Sequence, residues 1–196
     1  MWSPEQASKL ASEYLSSLGR RWAHVRAVGE LADALVEAGG RVSPELAAAA
    51  WLHDLGYAEE LSTTGLHALD GAAFLAMEGA PAEVVGLVAR HTGAVFEAEE
   101  RGLLSELAAM PVADPNELDI LTLMDLVIAP DGAFTEPEAR IAEILSRYRD
   151  SSPVHRAVSR SRHELLASAE RARKRLELPN EWPTGAVQGM LKSQPH

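Results

Sequence analysis

Apolar residues recur at steps of three and four along almost the whole chain, and no segment shows the strict alternation of a half-buried strand. Ser3 and Ser43 each precede a proline and a glutamate, which is typical of an N-cap followed by a first helical turn. Glycines and prolines mark the ends of the helical segments. We predict helices at about residues 3–19, 20–38, 46–55, 66–77, 82–91, 95–110, 114–129, 135–149 and 152–176.

Three residues predict where particular helices begin, break or end. Gly56 is expected to end the helix before it, as a residue directly after a helix. Gly102 interrupts the segment 95–110, so that helix is expected to be broken. Thr135 is predicted to cap the helix that follows it.

The helical segments predict a single all-α domain, a bundle of about eight to nine helices, over residues 1–178. A length of 196 residues agrees with one domain. Residues 179–196 carry several prolines and glycines and no helical pattern. We predict that they form a loosely packed C-terminal tail.

Composition excludes several classes of protein. The chain has no cysteine, so it has no disulfide, no thiolate ligand and no cysteine nucleophile. It shows neither a signal-peptide pattern nor an apolar run of the length that crosses a membrane, and we expect a cytoplasmic protein without a membrane partner. A net charge of −11 argues against long nucleic acid as a partner.

The charge is unevenly distributed along the chain. Residues 140–176 contain nine arginines and one lysine against four acidic residues, although the whole chain is acidic. Two interpretations remain open. The region is either a solvated, arginine-rich helix pair or a basic wall that faces an anionic substrate.

Several polar side chains lie where the helical pattern calls for an apolar residue. His24 shares a helix face with Val28 and Leu31, and Asp125 lies in an otherwise apolar helix. A single inward histidine is usually a core residue with satisfied hydrogen bonds, whereas an unpaired buried carboxylate is costly. A shared metal site explains these inward polar side chains better than an unrelated reason for the burial of each one does. The set is His24, His53, Asp54, His67, His91 and Asp125.

The chemistry of these side chains restricts the metal. Imidazole with carboxylate suits Fe, Mn, Zn, Co or Ni better than Ca or Mg alone. Six ligands exceed the number that one catalytic ion keeps if it is to leave positions open. Two ions that share one carboxylate fit the count better.

The order of His, His-Asp, His, His and a distant Asp resembles the HD-domain superfamily of metal-dependent phosphohydrolases, over about residues 18–129. The resemblance implies an HD-type helical fold. It also implies that His24, His53, Asp54 and Asp125 bind one ion, and that Asp54 bridges to a second ion held by His67 and His91. A hydroxide between the ions would be the nucleophile, so His53 and Asp54 are the predicted catalytic residues.

The chain departs from related dinuclear hydrolases at one position. Tyr57 stands where such enzymes often carry a lysine three residues after the His-Asp pair, which argues against cyclic dinucleotides and dinucleoside polyphosphates as substrates. We predict that Arg20, Arg21, Tyr57 and Thr92 bind the substrate. The alternatives are a solvated helix start for the two arginines and helix capping for Thr92.

These residues predict a hydrolase that acts on a small anionic phosphate ester, such as a nucleotide or related compound. Two divalent ions are expected, Fe or Mn foremost, with Zn, Co, Ni or Mg as alternatives. A di-iron oxygenase on the same ligands is a second hypothesis. A non-enzymatic, metal-containing binding module is a third, against which the intact ligand set argues. The sequence makes no prediction of oligomeric state.

Overall fold

The computed structural model of the chain describes residues 2–38, 42–179 and 182. Helices dominate these residues, which contain no strand and only an isolated bridge between Ile128 and Phe134. The predicted all-α class is therefore confirmed. The α-helices in chain order are α1 (Pro4–Leu15), α2 (Arg20–Glu37), α3 (Pro44–Leu52), α4 (His67–Met77), α5 (Ala82–Arg90), α6 (Ala94–Arg101), α7 (Leu104–Ala108), α8 (Pro115–Leu126), α9 (Pro137–Arg147) and α10 (Pro153–Arg175).

Serine caps open the helices where the sequence predicts them. The hydroxyl of Ser3 accepts from the backbone N–H of Gln6, and the Gln6 side chain accepts from the backbone of Ser3, which completes a capping box. Ser43 and Ser152 accept in the same way from the third residue of their helices. Each cap satisfies a backbone donor that has no partner within the helix.

The sequence predicts a break within the segment 95–110 and a helix cap at the start of the segment 135–149, and the structure agrees with only the first. The break at Gly102 is confirmed, since this glycine has a φ of 71° and separates α6 from α7. The predicted cap at Thr135 is wrong, because α9 begins at Pro137 after Glu136. Thr135 instead donates its backbone N–H to the carbonyl of Val127 at 2.8 Å, which ties it to the preceding loop.

Gly56 has a different role from the one predicted. Helix α3 ends at Leu52, and Gly56 lies within a 3₁₀ turn that spans Leu55–Tyr57. A Cβ atom at Gly56 would lie 2.1 Å from the carbonyl oxygen of His67. The glycine therefore lets the start of α4 approach the turn, which places His67 beside the His53-Asp54 pair.

Helix α3 lies at the centre of the bundle. Every residue from Leu46 to Leu52 is buried, and the helix packs against α1, α2, α5 and α8. Four of these seven residues are consecutive alanines, whose small side chains let neighbouring helices approach closely. The helix delivers its last residues, and the His-Asp pair that follows, into the middle of the core.

Helix α10 packs along α6 and α8 and is joined to them by ion pairs. The pairs link Arg156 to Glu100, Arg160 to Glu99 and Arg171 to Asp119, at 2.6–2.7 Å. These arginines lie on the surface, so for α10 the structure favours the interpretation as a solvated helix. The arginines of α9 have other surroundings and are described below.

The predicted tail, residues 179–196, lies outside the described residues except for Pro179 and Trp182. Trp182 is buried against the hydrophobic core, and its backbone N–H donates to the carbonyl of Pro179. Among the helices that the structure describes, none combines the length and apolarity needed to cross a bilayer.

Candidate metal centre

Six imidazole and carboxylate side chains meet inside the bundle. Five of them are buried, and the His67 side chain keeps 19% of its surface exposed. The structure thus brings together all the residues that the sequence predicts as ligands. They are His24 from α2, His53 and Asp54 directly after α3, His67 at the start of α4, His91 directly after α5, and Asp125 in the last turn of α8.

The carboxylate of Asp54 lies between two pairs of imidazoles. Its Oδ2 is 3.5 Å from Nε2 of His53 and 4.0 Å from Nε2 of His24. Its Oδ1 is 3.3 Å from Nε2 of His67 and 4.0 Å from Nε2 of His91. The two oxygens of one side chain therefore face different pairs.

The remaining contacts divide the cluster into two groups. Nε2 of His24 lies 3.0 Å from Oδ1 of Asp125 and 3.4 Å from Nε2 of His53. In the other group, Nε2 of His67 lies 3.2 Å from Nε2 of His91, and Asp54 completes the three. Each group could hold a metal ion.

Backbone carbonyls determine which imidazole nitrogen carries hydrogen. Nδ1 of His53 contacts the Ala50 carbonyl at 2.8 Å, and Nδ1 of His91 contacts the Val88 carbonyl at 2.7 Å. His24 makes a longer contact of this kind with the carbonyl of Ala129, at 3.4 Å. A carbonyl oxygen can only accept, so Nδ1 is the donor and Nε2 is left with a free electron pair.

This arrangement fits a bound cation. The electron pairs of His24 and His53 face each other and the Asp125 carboxylate, with no hydrogen atom to separate them. Ligands about 2.0–2.2 Å from one ion lie about 3.0–3.5 Å from their neighbours in tetrahedral or octahedral geometry, and the observed separations of 3.0 and 3.4 Å agree. The donor set and its spacing therefore match a divalent metal.

Both carboxylates of the centre are ionised. Burial works to raise the pKa of Asp54, but the guanidinium of Arg21 and the surrounding imidazoles outweigh it and hold the pKa below its usual range. Burial also works to raise the pKa of Asp125, but the contact with His24, whose Nε2 lies 3.0 Å from Oδ1, is the largest opposing influence, and the pKa stays well below its usual range. The carboxylates are thus available as metal ligands at neutral pH.

The imidazoles of the second group are neutral. Burial lowers the pKa of His67 to about 3; the Asp54 carboxylate opposes this shift, and His91 adds to it. Burial likewise lowers the pKa of His91. A neutral imidazole is the form that binds a metal ion, so no proton has to be displaced from this group at neutral pH.

Arg21 and Tyr57 extend the cluster toward a cavity of about 90 Å³. Arg21 forms an ion pair with Oδ2 of Asp54, and its guanidinium lies 3.8 Å from the centre of the Tyr57 ring. The Tyr57 ring stacks on His67 with centroids 4.2 Å apart, which fixes the plane of that imidazole. Desolvation in the cavity raises the pKa of Tyr57, so its phenol is a neutral hydrogen-bond donor.

Thr92 contacts a ligand directly. Its hydroxyl donates to Oδ2 of Asp125, and the residue lines the same cavity. Its backbone is left-handed, with φ and ψ both 44°, a conformation that is strained for a β-branched residue. The hydrogen bond orients Asp125 toward His24.

These observations agree with a comparison with known families. A family model for the HD domain matches residues 21–129, which is more than half of the chain. The chain belongs to the HD-domain family. No curated protein and no solved structure shows significant similarity to it. The matched residues include all six side chains of the cluster, and the family is one of metal-dependent hydrolases.

Part of the cavity lies outside this HD domain. Helices α9 and α10 contribute a wall that includes Arg140, Ile144, Arg147, Tyr148 and Val158. The sequence prediction names none of these as site residues. Their signal is the arginine-rich composition of residues 140–176, which left a basic wall open as one of two interpretations. For Arg140 and Arg147 the structure favours that interpretation.

Arg20 and the two tryptophans that precede ligands in the sequence do not line the cavity. Arg20 is exposed and does not line the cavity, so its role in binding substrate stays a prediction. Trp51 is buried over Gly29 and donates its indole N–H to Asp33. Trp22 packs beside it with ring centroids 6.3 Å apart, and neither ring lines the cavity. Both tryptophans therefore act in packing.

Proposed function

We propose that the protein is a phosphohydrolase that cleaves a small phosphate ester, such as a nucleotide or related compound, with two divalent ions. The observation that carries this proposal is the position of Asp54, whose two oxygens face separate imidazole pairs. A single catalytic ion requires neither a second pair nor a shared carboxylate. When bound, two ions would supply Lewis acidity and a water molecule activated at neutral pH as the nucleophile.

In this proposal the ligands divide as the contacts do. His24, His53 and Asp125 hold one ion, His67 and His91 hold the other, and Asp54 is shared. Fe or Mn suits this mixture of imidazole and carboxylate, with Zn, Co, Ni or Mg as alternatives. His53 and Asp54 are the proposed catalytic residues, because Asp54 is the shared carboxylate and Nε2 of His53 lies 3.5 Å from its Oδ2.

The residues that lie beside the ligands at the cavity suit an anionic substrate. Arg21 lies beside Asp54 at the cavity, where its guanidinium can donate to phosphoryl oxygens. Tyr57 adds a neutral donor and holds both Arg21 and the His67 ring in place. Charge that develops on the phosphoryl group would be stabilised by these fixed donors.

The test combines elemental analysis with an activity screen. Protein prepared without oxygen and with excess Fe or Mn is assayed for metal content and for phosphate release from a panel of nucleotides and other phosphate esters. Asp54→Asn should lower turnover about 100-fold or more, because the shared ligand is lost. Asp119→Asn removes a carboxylate outside the cavity and should leave turnover unchanged.

Two results would contradict the proposal. One is metal-loaded wild-type protein that binds two ions and releases phosphate from no ester. The other is iron-loaded protein that consumes oxygen with an organic substrate, which would support the oxygenase hypothesis on the same ligands.

A further inference from the structure

Arg140 is a buried cation in the wall of the cavity. It lies on α9, outside the part of the chain that matches the HD domain, and only 5% of its surface is exposed. It lines the cavity together with Arg21 and the ligands Asp54 and Asp125. A guanidinium remains charged at all physiological pH values, so this residue places a permanent positive charge inside the site.

The hydrogen bonds of Arg140 are incomplete. Its Nη1 donates to Glu143, but its buried Nε has no acceptor among the described residues. Glu143 is shared with Arg147, whose Nε lies 3.4 Å from Oε1 of the same carboxylate. Buried donors are nearly always satisfied, and Nε belongs to the edge through which a guanidinium binds phosphate or carboxylate in bidentate fashion.

The nearby carboxylate of Asp125 does not serve as the missing acceptor. Its Oδ1 faces His24 and its Oδ2 accepts from Thr92. Arg140 therefore influences Asp125 through its charge alone, as a small contribution to the lowered pKa of that carboxylate, after the larger effects of burial, His24 and His53. The Nε–H therefore has no acceptor among the described residues, in a side chain that lines the cavity.

We propose that Arg140 binds a terminal oxygen of the substrate phosphate and thereby selects dianionic phosphate monoesters over diesters. The inference rests on the proposed function. A monoester phosphate has three terminal oxygens, and in the proposed function Arg21 and the ions held by the ligands would engage the group from the side of the ligands. Arg140 then donates a hydrogen bond to a further charged oxygen of the phosphate. A diester would place an ester oxygen and its carbon substituent against a buried guanidinium in a cavity of about 90 Å³.

The reaction that follows is a simple hydrolysis. Water attacks phosphorus, and the bond from phosphorus to the ester oxygen breaks. The leaving oxygen takes up a proton that comes from the water. The products are an alcohol and inorganic phosphate, and no oxidant or reductant takes part.

Binding of anions tests the inference without relying on turnover. Calorimetry on Mn-loaded protein compares methylphosphonate, above its second pKa, with dimethyl phosphate, which carries one charge. Wild-type protein should prefer methylphosphonate. Arg140→Met should weaken methylphosphonate binding about 10- to 100-fold and leave dimethyl phosphate binding nearly unchanged, because a hydrogen bond to a charged oxygen is lost.

Two further variants test whether the change in anion binding depends on the guanidinium of Arg140. Arg140→Lys keeps the charge but loses the planar pair of donors, so it should restore only part of the affinity. Arg160→Met removes an arginine from α10 that pairs with Glu99 and Glu100 outside the cavity, and it should bind both anions as the wild type does. Thermal melting of each variant checks that it folds.

Kinetics on a matched pair of esters separates this inference from the proposed function. The ratio of kcat/KM for 4-nitrophenyl phosphate to that for methyl 4-nitrophenyl phosphate should fall at least about 10-fold in Arg140→Met, the change expected from one charged hydrogen bond. Equal losses on both esters, or anion binding indifferent to Arg140, would overturn the inference alone. Arg140-dependent phosphonate binding in a protein that hydrolyses no ester would overturn the proposed function alone.

Discussion

At the scale of single residues, His67 separates two-ion from one-ion chemistry. It belongs to the imidazole pair that faces Oδ1 of Asp54, and it contributes nothing to the group of His24, His53 and Asp125. His67→Ala should therefore lower the metal content from two ions per chain toward one. Turnover should collapse, because the nucleophile loses the second Lewis acid that lowers its pKa. Elemental analysis and steady-state kinetics measure both effects.

The matched control for this variant is His155→Ala. His155 lies on α10 and contacts Asp150 at the surface, away from the cluster, so its loss should change neither quantity. Wild-type protein that saturates at one ion per chain, with His67→Ala unchanged in metal content, would contradict the dinuclear interpretation.

The lowered pKa of the second imidazole pair predicts how the metal-free protein responds to acid. Burial holds the pKa of His67 at about 3, whereas an unfolded histidine titrates near about 6.5. Between these values the unfolded chain binds a proton that the folded chain excludes, so the free energy of unfolding should fall as pH falls. His91 shifts in the same direction, and the lowered pKa values of Asp54 and Asp125 add a further loss below about pH 4.

Urea unfolding of metal-free protein at several pH values from about 7.5 down to about 4.5 measures this effect. His67→Gln should lose less stability over that range than the wild type, because it removes one of the two excluded protons. His155→Gln serves as the control on a half-buried histidine outside the cluster. Identical pH dependence in the wild type and His67→Gln would show that His67 is not excluded from protonation in the folded protein.

The six ligands could be predicted because each interrupts an apolar pattern with a side chain that is costly to bury alone. Arg140 could not be predicted in this way, because the arginine-rich composition of residues 140–176 is equally typical of a solvated helix. Thr92 was assigned to substrate or to helix capping. Its contact with Asp125 depends on a left-handed backbone that sequence spacing does not reveal.

At the scale of secondary-structure elements, the contact between the His-Asp turn and α4 depends on Gly56. Gly56→Ala would place a methyl group 2.1 Å from the carbonyl oxygen of His67, a backbone atom that moves only if α4 moves. We expect a loss of stability of about 2 kcal/mol or more, together with a lower metal content, because His67 is displaced from Asp54. Denaturant unfolding and elemental analysis measure the two effects.

Gly102→Ala is the control for this variant. Nothing lies within 4 Å of a Cβ there, but a φ of 71° disfavours alanine, so stability should fall modestly. Metal content should not change, since Gly102 lies between α6 and α7 and contacts no ligand. A full complement of metal in Gly56→Ala would mean that α4 accommodates the methyl group without moving His67.

Helix starts were predicted well where a serine precedes a proline, because the cap is a local hydrogen bond. The end of α3 was predicted three residues late, since a 3₁₀ turn continues the helical pattern of apolar residues. The sequence predicts Gly56 as the residue directly after α3. Its real role, a close approach to a helix that follows in the chain, is a tertiary contact and leaves no local signal.

At the scale of the whole molecule, the metal centre joins five helices, so metal should stabilise the entire fold. Ions that bind the folded chain and not the unfolded chain raise the free energy of unfolding by mass action. Removal of metal with a strong chelator should lower the melting temperature by several degrees in a protein of this size. Differential scanning calorimetry before and after verified removal is the measurement. An unchanged midpoint would count against metal as a link between the helices.

The all-α class and the HD assignment followed from helical periodicity and from the order of the ligands. The packing of α10 did not, because its arginines carry no information about which acidic residues they meet. Only the folded chain places Glu99, Glu100 and Asp119 beside them. The same holds for the cavity wall, which is formed by helices far from the ligands in sequence.

The ligands and the outer wall of the cavity occupy separate stretches of the chain. Every candidate ligand lies between His24 and Asp125, whereas Arg140, Arg147 and the apolar wall residues come from α9 and α10. Substitutions in these two helices therefore change the outer wall of the cavity without replacing a ligand. Under the proposed function, the range of accepted substrates can thus change through the last two described helices while the candidate ligands stay the same, and a graft of α9 and α10 from another HD protein would test this separation.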